Sequence, residues 1–356
     1  MFQHSESSGL QWKGADVANS LALGDGRILW VFGDTLYAEP GSNRCNRFKG
    51  FNISVHNSMS VQYGSDPTTA EIKHFWGWRD GRPSSFFEPT KSDGSWFWMG
   101  STALVEGHVL VFLMQARALE YSSTAGDTCA GLNFEIIGWQ ARMAKLNEQE
   151  PADWNWREMQ LPVDNNWHNI LAGSSSILVR DGHLYAYAGG PGELIGNRVY
   201  LARWPLAKVL QYDLSEPQWH TDRSWQYQDA LAAKYPSPIV IDGNNEVDIS
   251  PIPWSGSGHT WLFLQSAYGY QSPLCYRTGK SLTQFGPCQI FYSPPELERY
   301  PSSPLLVYAL KLHPELSGQE GDSLIGTYMV NSCRLEDIQE KCDLYYPQFL
   351  QLKLAQ

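Results

Sequence analysis

The sequence predicts an all-β fold: a five-bladed β-propeller with four-stranded antiparallel blades around a central channel. Three observations support it. Turn signals flanked by apolar runs recur five times, the run after each turn is rich in large apolar residues, and no long stretch keeps the 3.6-residue apolar period of a helix. Asp25-Gly26 lies between Ser20–Leu23 and Arg27–Gly33, and Glu106-Gly107 between Thr102–Val105 and His108–Met114. Asp181-Gly182 divides Ser175–Arg180 from His183–Ala188, Ser255–Gly258 divides Ile249–Trp254 from His259–Gln265, and Gly318–Asp322 divides Leu305–Leu316 from Ser323–Val330. The tips recur roughly every 60–80 residues, as repeated blades would.

The strands after the tips read RILWVFGD, HVLVFLMQ, HLYAYAGG, HTWLFLQS and SLIGTYMV. Those before them are smaller or more polar (VANSLAL, GSTALV, SSSILV, DISPIP), which suits innermost strands crowded around an axis. The remaining length accommodates two further strands per blade. RVYLARWPL (198–206) and CQIFYSPPEL (288–297) read as such outer strands, and 227–234 and 334–341 as short helices. The Gly-, Asn- and Arg-rich segment 40–56 reads as a long loop, and the whole of 1–356 as one domain. A β-sandwich with long loops is the competing architecture.

A net charge of −11 with only 18% charged residues argues against nucleic acid or an anionic membrane as partner, since both demand clustered Lys and Arg. The longest apolar runs, such as Val109–Met114, are too short to span a bilayer. Aromatics are abundant, with 15 Trp, 18 Tyr and 14 Phe, enough both to fill the space between sheets and to leave rings for stacking on sugar faces. The six cysteines show no zinc-like spacing. Cys275/Cys288 and Cys333/Cys342 are close enough to close local loops, leaving Cys45 and Cys129. Disulfides would imply a periplasmic or extracellular location, although no signal peptide is visible at Met1. No metal or cofactor is expected, with an axial ion in the channel left open.

The first hairpin is the most informative segment. Asp16 lies nine residues before Asp25 at the turn, and Asp34 nine after it. In a symmetric antiparallel register the two face each other, with Cβ atoms about 4.5–5.5 Å apart. Paired carboxylates repel, so one pKa rises while the other stays low. Glycosidases require such a split. A slip of one residue would separate the pair onto opposite faces, and strand-end aspartates also cap turns.

The segment WKGADVANSLALGDGRILWVFGDT (12–35) resembles the opening signature of the DUF4185-type propellers, the family that includes endo-D-arabinanases. Looser similarity follows in HNSMSVQ (56–62), FEPT (87–90), YALKLHPEL (308–316), TYMVNS (327–332) and YYPQF (345–349). The resemblance implies a five-bladed propeller that hydrolyses glycosides, with Asp16 and Asp34 as its essential carboxylates. The Cys-containing loop at 40–56 departs from that pattern.

Further acids could tune or replace one of the pair: Glu88 before the second inner strand, Glu193 at the place equivalent to Asp34, and Asp248 at the place equivalent to Asp16. His168 and His313 are candidates for donating to a sugar hydroxyl, Asn57 for binding one, and Trp76, Trp167 and Tyr268 for stacking. For each, a packed or solvated structural role is the alternative. No GxSxG elbow, P-loop or HExxH is present. The expected activity is glycoside hydrolysis of a furanose-containing polysaccharide or its oligosaccharides, with a non-catalytic carbohydrate-binding propeller and a protein-binding scaffold as rivals. A carboxyl separation of about 5–5.5 Å would favour retention and about 6.5–9.5 Å inversion.

Overall fold

A computed structural model describes residues 10–39, 54–66, 69–119, 134–191, 197–222, 224–252, 260–267, 271–316 and 323–353. Glu193, Tyr268, Cys45, Cys129, the turns Ser255–Gly258 and Gly318–Asp322, and 40–53 of the expected long loop lie outside them. The fold is all-β and propeller-type. Five principal sheets follow one another along the chain, and each starts at its innermost strand.

The innermost strands are Asn19–Ala22, Ser95–Val105, Leu171–Arg180, Asp248–Pro251 and Leu305–Leu312. Each pairs antiparallel with the strand after it: Arg27–Phe32, His108–Ala118, His183–Gly190, Trp261–Ser266 and Ser323–Ser332. The expected hairpins are therefore present. Glu106-Gly107 and Asp181-Gly182 adopt positive φ at both residues, as a tight two-residue turn between twisted strands requires. The first tip is looser: Leu23 N donates to Arg27 O across Gly24–Gly26, and Asp25 accepts from the Arg27 guanidinium.

Strand number corrects the expectation of uniform blades. Among the described residues the five sheets hold four, four, six, five and three strands. Asn197–Pro205 and Gln289–Tyr292 are outer strands as expected, and short helices occur at Gln228–Leu231 and Leu335–Glu340. Residues 54–55 are a short strand rather than loop, paired with Thr35–Ala38, which also pairs with Gln11–Ala15.

Alternation along the second strand of each sheet explains how the sheets stack. On Arg27–Phe32, Ile28, Trp30 and Phe32 enter one core, while Leu29 and Val31 enter another with Phe97, Met99 and Val111 of the second sheet. Leu110 and Phe112 then face Leu184 and Ala186 of the third sheet, whose Tyr185 and Tyr187 face Ile249 and Phe263 of the fourth. Leu262 and Leu264 pack on Val307 and Val330 of the fifth. Each sheet is thus buried on both faces, which is why these strands are almost continuously apolar. Truncating one of the fully buried rings, such as Phe112, would cost about 3–5 kcal/mol.

Polar side chains tie the innermost strands together. Thr102 Oγ1 donates to Asn19 Oδ1 at 2.7 Å, Ser101 Oγ accepts from Ile177 N, and Ser176 Oγ accepts from Ile249 N. Leu312 N donates to Asp248 Oδ2, and His313 Nδ1 meets Ser20 Oγ at 2.5 Å. This is the physical reason for the small and polar inner segments: little space separates the strands, and their buried polar groups satisfy one another.

Cys275 and Cys288 form a disulfide, and Cys333 and Cys342 are also disulfide-bonded. No described helix is long and apolar enough to cross a membrane.

Candidate functional site

The symmetric register of the first hairpin holds. Asn19 pairs with Val31 and Ser20 with Trp30, while beyond the pair Ala15 faces Thr35. Asp16 and Asp34 sit between these stretches, and Asp16 N donates to Asp34 O at 3.3 Å. The strand is interrupted there. Val17 and Ala18 take φ of 68° and 48°, an unfavourable region for a β-branched residue, and Ala18 N turns back to Asp16 O. Asp16 and Asp34 consequently stand where the small upper sheet separates from the first principal sheet. Gly33 accounts for the Gly-Asp pair in the sequence, because a Cβ there would collide with Asp16 Oδ1.

Both aspartates line a cavity of about 440 Å³ at the ends of the innermost strands opposite the Asp25 turn. All five principal sheets or the loops leading into them contribute to its walls. Trp98 comes from the second sheet, Asn197 from the third, Glu246 from just before the fourth, and Tyr308 and Asn331 from the fifth. Tyr345, from the turn before the last strand, completes it.

Burial pushes the Asp16 carboxyl well above the usual carboxylate range. The negative charges of Asp34 and then Glu246 add to the effect, against hydrogen bonds from Tyr308 and Tyr345. Tyr308 donates to Asp16 Oδ2 at 3.0 Å; the Tyr345 hydroxyl lies 3.4 Å from the same oxygen and 3.3 Å from Asp34 O. Asp16 Oδ1 is buried without a partner among the described residues. Asp34 has a different setting. Its Oδ1 accepts from Trp98 Nε1 at 2.7 Å and meets His56 Nδ1 at 2.8 Å, and about a third of its side chain (34%) is open to solvent.

Glu246 is a third acid in the cavity. Burial raises its pKa against the Lys311 ammonium and the Ala309 amide, and its Oε2 has no partner among the described residues. A bulge in the fifth innermost strand, between Tyr308 and Lys311, makes these contacts possible. Ala309 at its centre has φ of 48°. Tyr308 reaches Asp16 from one side of the bulge. On the other, buried Lys311 donates from Nζ to Ser175 O at 2.6 Å and to Val247 O at 3.0 Å, beside Glu246.

Most of the other candidates lie elsewhere. Asp248 is buried below the cavity, bonded to Ser250 Oγ and Leu312 N, and burial raises its pKa against the Lys311 charge. His313 is fully buried between Ser20 and Thr327, and burial lowers its pKa to about 3. Asn57 is also fully buried, with its amide bonded to the Phe87 and Phe97 backbones, so packing accounts for it. Trp76 is buried against Tyr37. Glu88 accepts from Ser85 N and pairs with Arg79, away from the cavity wall. Trp167 packs on Trp219, and His168 stacks on Tyr235 at 3.9 Å, neither of them lining the cavity.

Sequence reasoning missed Glu246, Trp98, Tyr308 and Tyr345 as site residues. A signal existed for the two tyrosines, because both stand in segments singled out for other reasons, YALKLHPEL and YYPQF. Glu246 stands only two residues before Asp248, the acid that the sequence places at the start of the innermost strand.

Comparison with solved structures supports the fold. A Bacteroides ovatus protein described as a candidate hydrolase superposes with a TM-score of 0.63 at 17% identity, covering 96% of this chain and 86% of its own. A family 117 glycoside hydrolase of the marine bacterium Zobellia galactanivorans gives a TM-score of 0.50 at 10% identity, covering 99% and 87%. No curated protein matches the sequence. One family model spans residues 2–354, so the chain belongs to the family described as Domain of unknown function (DUF5005).

Proposed function

We propose that the protein is a glycoside hydrolase whose five sheets close into a five-bladed propeller, with catalysis in the cavity at one end of its channel. The observation that carries the reading is the meeting of Asp16, Asp34 and Glu246 in one cavity, two of them with pKa values raised by burial. Acids forced together in a buried space are costly for stability, and glycoside hydrolysis makes use of that arrangement. The ties between successive innermost strands, ending in the Ser20–His313 contact, support the closed five-bladed ring.

In this reading Glu246 is the general acid. It lines the cavity, and burial raises its pKa in the direction a proton donor needs. The proton passes to the glycosidic oxygen as the bond to the anomeric carbon breaks. Asp34, the more open carboxylate, acts as base for water or as nucleophile, oriented by Trp98 and His56. Asp16 is fixed by two phenols and sealed against Gly33, which suits it to aligning Asp34 and tuning the charge of the site.

The proposed substrate is a furanose-containing polysaccharide attacked internally in the manner of an endo-arabinanase, and the proposed location is periplasmic or extracellular. The first rests on the resemblance in the opening segment, the second on the disulfides. Incubation with plant and bacterial arabinans and galactans tests the proposal. A ladder of short oligomers is expected from at least one arabinan. A single monosaccharide would refute internal attack, and no release from any polymer would favour a carbohydrate-binding protein without catalysis.

A further inference from the structure

The proposed function leaves open what kind of sugar the cavity holds, and its wall chemistry narrows that choice. Three of the lining side chains are acids, Asp16, Asp34 and Glu246, and no lysine, arginine or histidine lines the cavity among the described residues. Two basic side chains close to these acids are already engaged. Lys311 donates to the Ser175 and Val247 carbonyls, and His56 is bonded to Asp34. A carboxylate, sulfate or phosphate entering the cavity would therefore meet the Asp34 carboxylate and two further acids whose ionisation it opposes, in a partly desolvated space with no described cation to pair with.

The rest of the wall has two characters. Trp98, Met114 and Phe134 supply an apolar side, and Trp98 and Phe134 pack edge to face at 4.6 Å. Asn197 and Asn245 supply neutral amide groups, and Asn244 and Asn331, bonded to Ser266 Oγ and the Tyr308 hydroxyl, add polar but uncharged wall. Carbon-bound hydrogens on one face of a sugar suit the first set, and hydroxyl groups suit the second.

We infer that the cavity is a subsite for an uncharged sugar unit and discriminates against uronate, sulfated and phosphorylated sugars. This rests on the glycosidase reading for the ligand class, but it concerns the charge of the bound sugar rather than whether the bond is cut. The discrimination arises from an acidic wall with no described cation on it, so it weakens as salt screens the charge.

The test pairs ligands that differ mainly in charge, using the intact protein. Hydrolysis and equilibrium binding are measured for the nitrophenyl glucoside against the glucuronide, and the galactoside against the galacturonide. Arabinan and galactan oligosaccharides are set against oligogalacturonates in the same way. In at least one set the neutral member is expected to bind or react about 100-fold better than its anionic partner, with a smaller ratio at high salt. Equal or better use of the anionic members would overturn the inference while leaving the hydrolase reading intact. Binding of neutral members without turnover would sink the hydrolase reading and support the inference. Binding of no member of any set would overturn the inference.

Discussion

The hydroxyl of Tyr308, on the innermost strand of the fifth sheet, donates at 3.0 Å to Asp16 Oδ2 in the first. It joins residues separated by 292 positions and helps fix a carboxyl whose pKa burial raises. The remaining chemistry of the cavity is arranged around that contact.

The raised Asp16 pKa has a stability consequence with a definite sign. A carboxyl whose folded pKa exceeds its unfolded value contributes stability that is fully present below the unfolded pKa and is lost as pH rises through the folded one. Asp16→Asn removes that loss. Its melting temperature should match the parent at low pH, near the ordinary aspartate pKa of 3.8, and exceed it by about 2 °C or more in neutral and alkaline buffer. Thermal unfolding across pH measures this, and a gap that does not widen with pH would contradict the assignment.

Gly33→Ala should disturb both function and folding. The new Cβ collides with Asp16 Oδ1, on a buried side chain that Tyr308 and Tyr345 hold by its other oxygen. Melting should fall by a cost of about 1–3 kcal/mol, and turnover on the active polymer should fall about 10- to 100-fold because the carboxyl is displaced. Full activity in this variant would show that the position of Asp16 does not matter.

Glu246 and Asp248 make a controlled comparison two residues apart. Glu246→Gln should lower kcat by about 100- to 10,000-fold with little effect on binding, as expected for loss of a general acid. Asp248→Asn disturbs bonds to Ser250 and Leu312 N below the cavity and should act mainly on stability. Steady-state kinetics and melting curves of both variants decide the matter, and the reverse pattern would exchange their roles.

Lys311 influences Glu246 from outside the cavity. Its ammonium lowers the Glu246 pKa against burial, so removing it lets the pKa rise and keeps the acid protonated to higher pH. Lys311→Met should therefore move the alkaline limb of the activity profile upward. It should also cost about 1–3 kcal/mol, because the Ser175 and Val247 carbonyls lose their donor. A pH–rate profile tests the first effect, and an unmoved or lowered limb would contradict the electrostatic link.

The sequence made the strand repeat legible because hairpin turns are local: Glu106-Gly107 and Asp181-Gly182 need only their own backbone angles to announce themselves. Asp16 and Asp34 were legible for the same reason, since a symmetric hairpin fixes which residues oppose. Uniform four-stranded blades were not found, because outer strands are set by packing and edge exposure rather than by a turn signature. Glu246 was missed because depth within the cavity depends on where each innermost strand begins relative to its neighbours. Tyr308 and Tyr345 carry no local mark of their role, since the carboxyl they bond lies near the other end of the chain. Asn57 and His313 were misjudged for the opposite reason: their polarity is spent on buried structural bonds between strands.

The central claim is that Asp34 and Glu246 act on a bound glycoside, and the most direct measurement is paired. On whichever polysaccharide the parent protein cleaves, oligosaccharide release and equilibrium binding are determined for the parent, Asp34→Asn and Glu246→Gln. The account predicts loss of release in both variants with binding retained. Release by either variant at the parental rate would contradict it.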